Sequence, residues 1–311
     1  MRMTTEKIRL VYIGSSGRSG STLLELIFGA HPQLWTLGEF YVLPFAIESA
    51  AKQCGCGTLV SECPFWGSIV KETMPIIRGP SIRRFRDGYD VGRLFHFAEF
   101  PSIWSRNGSW SSRRGAELEQ FAKDNAAVMG AALTKARQLK GAQVRFLVDA
   151  SKSLYRLLWL KQSGAFDLRV IHLVKDPRAF AYSMSKRQDG SVNRKQAARA
   201  ALRWNAENYL FDKLFRNRFT ENEVLRIRYE DLASNPKTVL QNMLGWLELP
   251  YDENMVSDFR CVNHGIAGNP MRQRKTGIQL DEKWRHGLSA GMQRLVRGMS
   301  RSLSKRYGFV R

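Results

Sequence analysis

Short apolar runs alternate with helical patterns along this chain. Residues 10–13, 144–148, 168–174 and 224–227 are rich in branched apolar side chains, and runs this short predict buried strands rather than helices. Between and after them, apolar positions recur at helical spacing, which predicts helices over 21–30, 115–139, 152–163, 177–187, 194–216, 236–247 and 289–306. Pro177 sits in the first turn of one helix, and Asn235-Pro236 forms a cap and first-turn pair for another. Strands alternating with helices predict an α/β fold, a central parallel sheet flanked by helices on both faces. The expected organisation is a single domain over 1–311.

Two stretches break this rhythm. Segment 76–114 is rich in Arg, Gly, Ser and aromatics (Phe85, Tyr89, Phe95, Phe97, Phe100, Trp104, Trp110) and is predicted to be an acceptor-side insertion or lid. Segment 252–288 carries Arg272, Arg274, Lys275 and Gly277.

Charge changes the picture more than composition does. The net charge is +21 and the basic residues are spread along the whole length, which predicts a basic face or cleft serving an anionic partner. The polar start, Met1 to Lys7, and the lack of a long apolar segment give the expectation of a cytoplasmic protein without a transmembrane segment, open to peripheral membrane contact. Cys54, Cys56 and Cys63 form a C-x-C-x6-C cluster, with Cys261 far away. A metal site needs a fourth ligand, from Cys261 or a His. The reading adopted is a turn-rich loop with reduced thiols or one disulfide, and no metal.

In open α/β sheets, ligands bind outside the carboxyl ends of the strands. The first strand runs into Gly14-Ser-Ser-Gly-Arg-Ser-Gly-Ser-Thr22 and then an apolar helix. Glycines let successive N–H groups point into one concavity, and the helix start adds positive potential, so the turn is a cradle for a phosphate-like anion. A Walker A loop has Lys where this chain has Ser21, and the cation here is Arg18, which weakens an ATP-dependent reading. The other strands end in Asp149-Ala-Ser-Lys152, Lys175-Asp-Pro-Arg178 and Arg228-Tyr229-Glu-Asp231. Cations and hydroxyls at every strand end fit one elongated, multiply anionic ligand.

These motifs resemble those of sulfotransferases that use 3′-phosphoadenosine 5′-phosphosulfate. Gly17-Arg-Ser-Gly-Ser-Thr22 is similar to the family's 5′-phosphosulfate loop, and Lys175 with Ser183 eight positions on is similar to its 3′-phosphate motif. Arg228-Tyr229-Glu-Asp-Leu232 resembles the segment that holds the adenine, and His264 to Arg272 resembles a late loop that covers the nucleotide. The resemblance implies a P-loop-like sulfotransferase fold and in-line transfer of a sulfuryl group to an acceptor hydroxyl. It implies no required metal and no nucleic acid.

The implied nucleotide-binding residues are Gly17, Arg18, Ser19, Gly20, Ser21, Thr22, Lys175, Ser183, Tyr229, Arg272, Arg274 and Lys275. Lys175 stands where the family usually has Arg and loses the bidentate fork, so Arg178 or the Arg272/Arg274/Lys275 group is a candidate to share the 3′-phosphate. The implied reacting groups are Glu39 as general base, Lys152 on the bridging oxygen and Arg18 as second cation. The Glu39 assignment follows protein-tyrosine sulfotransferases, which this region resembles through Arg18-Ser-Gly, Ala30-His-Pro and Gly38-Glu39. His31 is the rival base, and its place at a helix end before Pro32 reads as structural. The alternatives are a P-loop nucleotide kinase or NTPase and a basic nucleic-acid-binding protein. The acceptor stays open among small-molecule, sugar, lipid and peptide hydroxyls, with Arg83, Arg84, Arg86 and Arg93 available to it.

Overall fold

A computed structural model describes residues 7–48, 53–77, 99–104, 112–187, 191–260, 262–268 and 277–309. Five strands, β1 (Ile8–Gly14), β2 (Leu34–Gly38), β3 (Phe146–Lys152), β4 (Phe166–Val174) and β5 (Val224–Arg228), form one sheet in the order β2-β3-β1-β4-β5. Every neighbouring pair is parallel. The principal helices are α1 (Ser21–Ala30), α2 (Trp66–Ile77), α3 (Ser112–Lys140), α4 (Leu154–Ser163), α5 (Pro177–Ser185), α6 (Arg194–Arg218), α7 (Tyr229–Ser234), α8 (Pro236–Trp246), α9 (Ala290–Met299) and α10 (Arg301–Arg306).

The alternation in β1 shows how the sheet is covered. Leu10 and Tyr12 join a core with Phe121 of α3, Trp159 of α4 and Phe211 of α6. Val11 and Ile13 face the opposite core, with Leu23 and Ile27 of α1 and Leu240 and Met243 of α8. Successive side chains of a strand point to opposite faces, so a fully apolar strand is one buried on both sides. A third cluster joins Phe180 of α5 and Trp204 of α6 to Val296 and Leu303 of the C-terminal helices.

Three differences from the sequence expectation have physical reasons. Strand β2 was not predicted, because Leu34–Gly38 is a short edge strand wedged between a helix end and a turn. The helix expected from 152 begins at Leu154, with Ser153 accepting a hydrogen bond from the Arg156 amide as its cap. Lys152 is therefore the last residue of β3. The 289–306 helix is two helices, separated at the buried Ser300.

Of segment 76–114, residues 78–98 and 105–111 lie outside the described residues, and so do the four arginines suggested for the acceptor. Between the helices α2 and α3, Phe100–Trp104 is a helical turn docked on α6. Asn217 and Arg218 donate to its carbonyls at 2.8–3.0 Å, and Trp104 contacts Tyr209 and Lys213.

Candidate active site

The turn between β1 and α1 has the backbone that an anion cradle needs. β1 ends at Gly14, and α1 starts at Ser21 after a turn whose backbone is left-handed at Arg18 (φ 67°) and Gly20 (φ 94°). A side chain at Gly20 would place Cβ 2.4 Å from Tyr229 Cδ2, so Gly20 is required both by its backbone angle and by the tyrosine packed on it. The first turn of α1 carries no acidic residue, leaving its positive end free for an anion. The other end of α1 is fixed by Lys140, whose Nζ donates to the carbonyls of Gly29, His31 and Leu34 at 2.7–3.1 Å.

At the ends of β2 and β3, Lys152 Nζ lies 2.5 Å from Glu39 Oε1. The register of β3 slips by one residue against both neighbours just before this point, and Lys152 is left-handed (φ 65°). A bulge re-aims a side chain, and strain of this kind gathers at functional positions. The turn rests on a buried scaffold. Asp149 accepts from the Ser151 amide at 2.9 Å and from the Ser151 hydroxyl, and it pairs with Arg156 Nε at 2.9 Å. Arg156, itself fully buried, donates on to Asn125 at 2.9 Å. Ser151 Oγ also receives the Tyr41 amide at 3.2 Å, which ties the chain after Glu39 to the chain before Lys152.

Lys175 directly follows β4 and is 6% exposed. Burial pulls its ammonium down from the ordinary lysine value, Asp281, Glu230 and Asp176 oppose that shift, and Arg18 adds to it. Its Nζ lies 4.4 Å over the Tyr229 ring. Tyr229 opens α7 and donates its hydroxyl to the Gln279 carbonyl at 3.2 Å. The Glu230 carboxyl is pushed up to about 7, chiefly by burial.

One cavity of about 740 Å³ joins these groups. It is lined by Gly17, Arg18, Gly20, Ser21 and Thr22 of the cradle, by Glu39 and Lys152, and by Lys175, Ser183 and Tyr229. Ser19 is buried behind the lining, and the hydroxyls of Ser15 and Ser19 have no partner among the described residues. Arg272, Arg274 and Lys275 lie outside the described residues, although Gly268 and Gly277 on either side reach the cavity.

Two candidates are placed elsewhere. Arg178 does not line the cavity; it is held by Asp176 through bonds of 2.6 and 3.0 Å and stacks on Trp284. His31 is buried, sets Nε2 2.9 Å from the Pro250 carbonyl and accepts the Gln33 amide at Nδ1, which makes it neutral and structural. Arg203 and Lys283 also line the cavity. Arg203 had only its helical pairing with Glu207 as a sequence signal, and that reads as a surface pair.

Comparison with known proteins agrees with this geometry. A family model described as the sulfotransferase family matches residues 106–253. The matched stretch, just under half of the chain, is similar to that family. Among solved structures, the sulfotransferase domain from the Synechococcus PCC 7002 olefin synthase matches with a TM-score of 0.53 and 22% identity over 96% of each chain. The sulfotransferase domain from the curacin biosynthetic pathway matches with a TM-score of 0.54 and 17% identity, over 96% of this chain and 98% of that one. No curated protein matches the sequence. The fold is thus the sulfotransferase α/β fold, and the kinase and nucleic-acid readings are not favoured. Among the described residues, no helix is long and apolar enough to cross a membrane.

Proposed function

We propose that this chain is a sulfotransferase that draws its sulfuryl group from 3′-phosphoadenosine 5′-phosphosulfate and passes it to an acceptor hydroxyl. One observation carries the reading. A single cavity is bounded by a helix-start anion cradle and, apart from it, by the buried cation Lys175 with Ser183. A donor with a 5′-phosphosulfate and a 3′-phosphate needs two such sites. The residues fit it: the cradle excludes a Cβ at Gly20, the hydroxyls of Ser15 and Ser19 have no partner among the described residues, and Lys175 is an interior charge that an anion would stabilise.

The donor, when bound, supplies a sulfuryl group on a phosphate leaving group. The chain supplies position and charge, as in phosphoryl transfer. The Glu39 carboxylate takes the proton of the attacking hydroxyl. Lys152 Nζ, released from Glu39, donates to the oxygen on which charge gathers as the old S–O bond breaks. Arg18 and the amides of Ser19, Gly20, Ser21 and Thr22 hold the 5′ end, Lys175 and Ser183 the 3′-phosphate, and Tyr229 the adenine. Arg272, Arg274 and Lys275 complete the proposed nucleotide site as its cover. No step asks for a metal ion. The 76–114 segment is the proposed acceptor side, for a small-molecule, sugar, lipid or peptide hydroxyl. We assign the reaction to the cytoplasm, where thiols such as Cys54, Cys56 and Cys63 stay reduced.

Thermal unfolding with added ligands tests the reading. Adenosine 3′,5′-bisphosphate without Mg²⁺ should raise Tm, by about 2.7 kcal/mol of stabilisation at a hundredfold excess over Kd. A shift with ATP–Mg²⁺ or an oligonucleotide, and none with the bisphosphate, would overturn it.

A further inference from the structure

The Cys54–Cys63 loop acquires a partner that its spacing alone does not identify. Cys54, Cys56, Cys63 and His264 bring four donor atoms within 4.8 Å of one another. The Cys63 sulfur lies 3.4 Å from that of Cys54 and 3.7 Å from that of Cys56. His264 Nδ1 lies 3.2 Å from the Cys63 sulfur and 3.9 Å from that of Cys54. A zinc ion with Zn–S about 2.3 Å and Zn–N about 2.0 Å has tetrahedral edges of about 3.7 Å between sulfurs and about 3.5 Å from sulfur to nitrogen. Four of the six edges lie within about 0.4 Å of that tetrahedron, and the other two are no longer than 4.8 Å. The sulfur separations are far beyond the roughly 2.05 Å of a disulfide.

The local chain is shaped to hold this geometry. Gly57 is left-handed (φ 92°), and its amide closes on the Cys54 carbonyl at 2.9 Å, while the Cys54 amide bonds the Thr58 carbonyl at 2.8 Å. This tight turn points Cys54 and Cys56 at one spot. Cys63 stands just before α2, and Trp66 of α2 donates to the His264 carbonyl at 2.6 Å. The imidazole stacks on Trp35 with centroids 5.8 Å apart and planes 7° from parallel. Cys54 and Cys63 are almost fully buried beside Phe65 and Trp66.

We propose that Cys54, Cys56, Cys63 and His264 form a closed structural zinc(II) site. Three thiolates and a neutral imidazole around Zn²⁺ give a net charge of −1, and the thiol protons leave to solvent on binding. All four positions belong to the protein, so the ion has no open position for chemistry. Its role is to clamp two distant loops beside the base. The Gly55 amide bonds the Gly265 carbonyl at 3.1 Å, the Ile266 amide bonds the Leu37 carbonyl at 3.0 Å, and the Glu39 amide bonds the Ile266 carbonyl at 2.8 Å. A side chain at Gly38 (φ 76°) would place Cβ 2.2 Å from the Ile266 amide nitrogen, so the contact is backbone on backbone. The clamp therefore ends on the backbone of Glu39.

The test is the metal content of untagged full-length protein purified in reducing buffer, by plasma mass spectrometry. One zinc per chain is expected, with most of it lost in Cys56→Ser and His264→Asn while adenosine 3′,5′-bisphosphate still binds. Chelator-stripped wild type should lose several degrees of Tm, regain them with Zn²⁺ but not Mg²⁺, and take up Co²⁺ with the visible absorption of a tetrahedral thiolate site. The cobalt spectrum of wild type decides the matter if a variant does not fold. Zinc-free protein giving no such spectrum, zinc unchanged in both variants, or a disulfide between two of the three cysteines would overturn the proposal.

Discussion

Lys152 Nζ lies 2.5 Å from Glu39 Oε1, an ion pair that joins the ends of two neighbouring strands at the mouth of the cavity. Each side chain is the other's partner until a hydroxyl comes between them. The pair sets the proposed base against the cation and holds that cation at the place where leaving-group charge would develop.

Glu39→Gln removes the proton acceptor and keeps the shape. Turnover should fall by about 10²–10⁴-fold, with the affinity for adenosine 3′,5′-bisphosphate nearly unchanged. Lys152→Ala should lower kcat by about 10²–10³-fold and change donor affinity much less. Single-turnover assays beside calorimetric binding separate the two effects, and unimpaired turnover in Glu39→Gln would end the base assignment.

Lys175→Ala removes the buried cation at the end of β4. Loss of a hydrogen bond to a charged group is worth about 1.5–3 kcal/mol, so the affinity for adenosine 3′,5′-bisphosphate should drop roughly 10- to 100-fold. The affinity for adenosine 5′-phosphate, which lacks the 3′-phosphate, should change little. Equal losses for both ligands would contradict the 3′-phosphate assignment.

Asp149→Asn leaves the Arg156 guanidinium buried without its counter-charge, because both side chains are inaccessible to solvent. Breaking one member of such a pair costs about 3–5 kcal/mol, measurable by urea unfolding. The Ser151–Lys152 turn also loses its anchor, so kcat should fall in the fraction that remains folded.

Glu230 makes stability depend on pH. Its carboxyl rises from the ordinary 4.5 to about 7 on folding, so between those values the folded chain holds more protons than the unfolded one. Stability should therefore fall as pH rises through that window and stay lower above it. Glu230→Gln keeps an oxygen for the Asp176 amide and removes the penalty. The variant should match wild type near pH 4.5 and exceed it by about 1–3 kcal/mol at pH 8, read from urea unfolding at both values.

Much of this site was legible because its chemistry is local in sequence. The glycine-rich turn, the Lys175–Ser183 spacing and Tyr229 each follow a strand, and parallel strands bring their ends together. What stayed hidden depends on three-dimensional register. Lys152 reads as a helix start, and only the bulge in β3 shows it as a strand end turned toward Glu39. Arg156 looks like one more surface cation until its helix buries it on Asp149. His264 resembles part of a nucleotide cover, yet its imidazole faces Cys63 across 201 positions of sequence.

The most direct measurement is mass-spectrometric detection of transfer from 3′-phosphoadenosine 5′-phosphosulfate across a panel of hydroxyl acceptors, with Mg²⁺ omitted. The account predicts an acceptor heavier by one SO₃ group for every adenosine 3′,5′-bisphosphate released, and formation of that product slowed about 10²–10⁴-fold in a Glu39→Gln variant that still binds the bisphosphate. A protein that neither binds nor consumes the donor, or a Glu39→Gln variant that turns over like wild type, would contradict it.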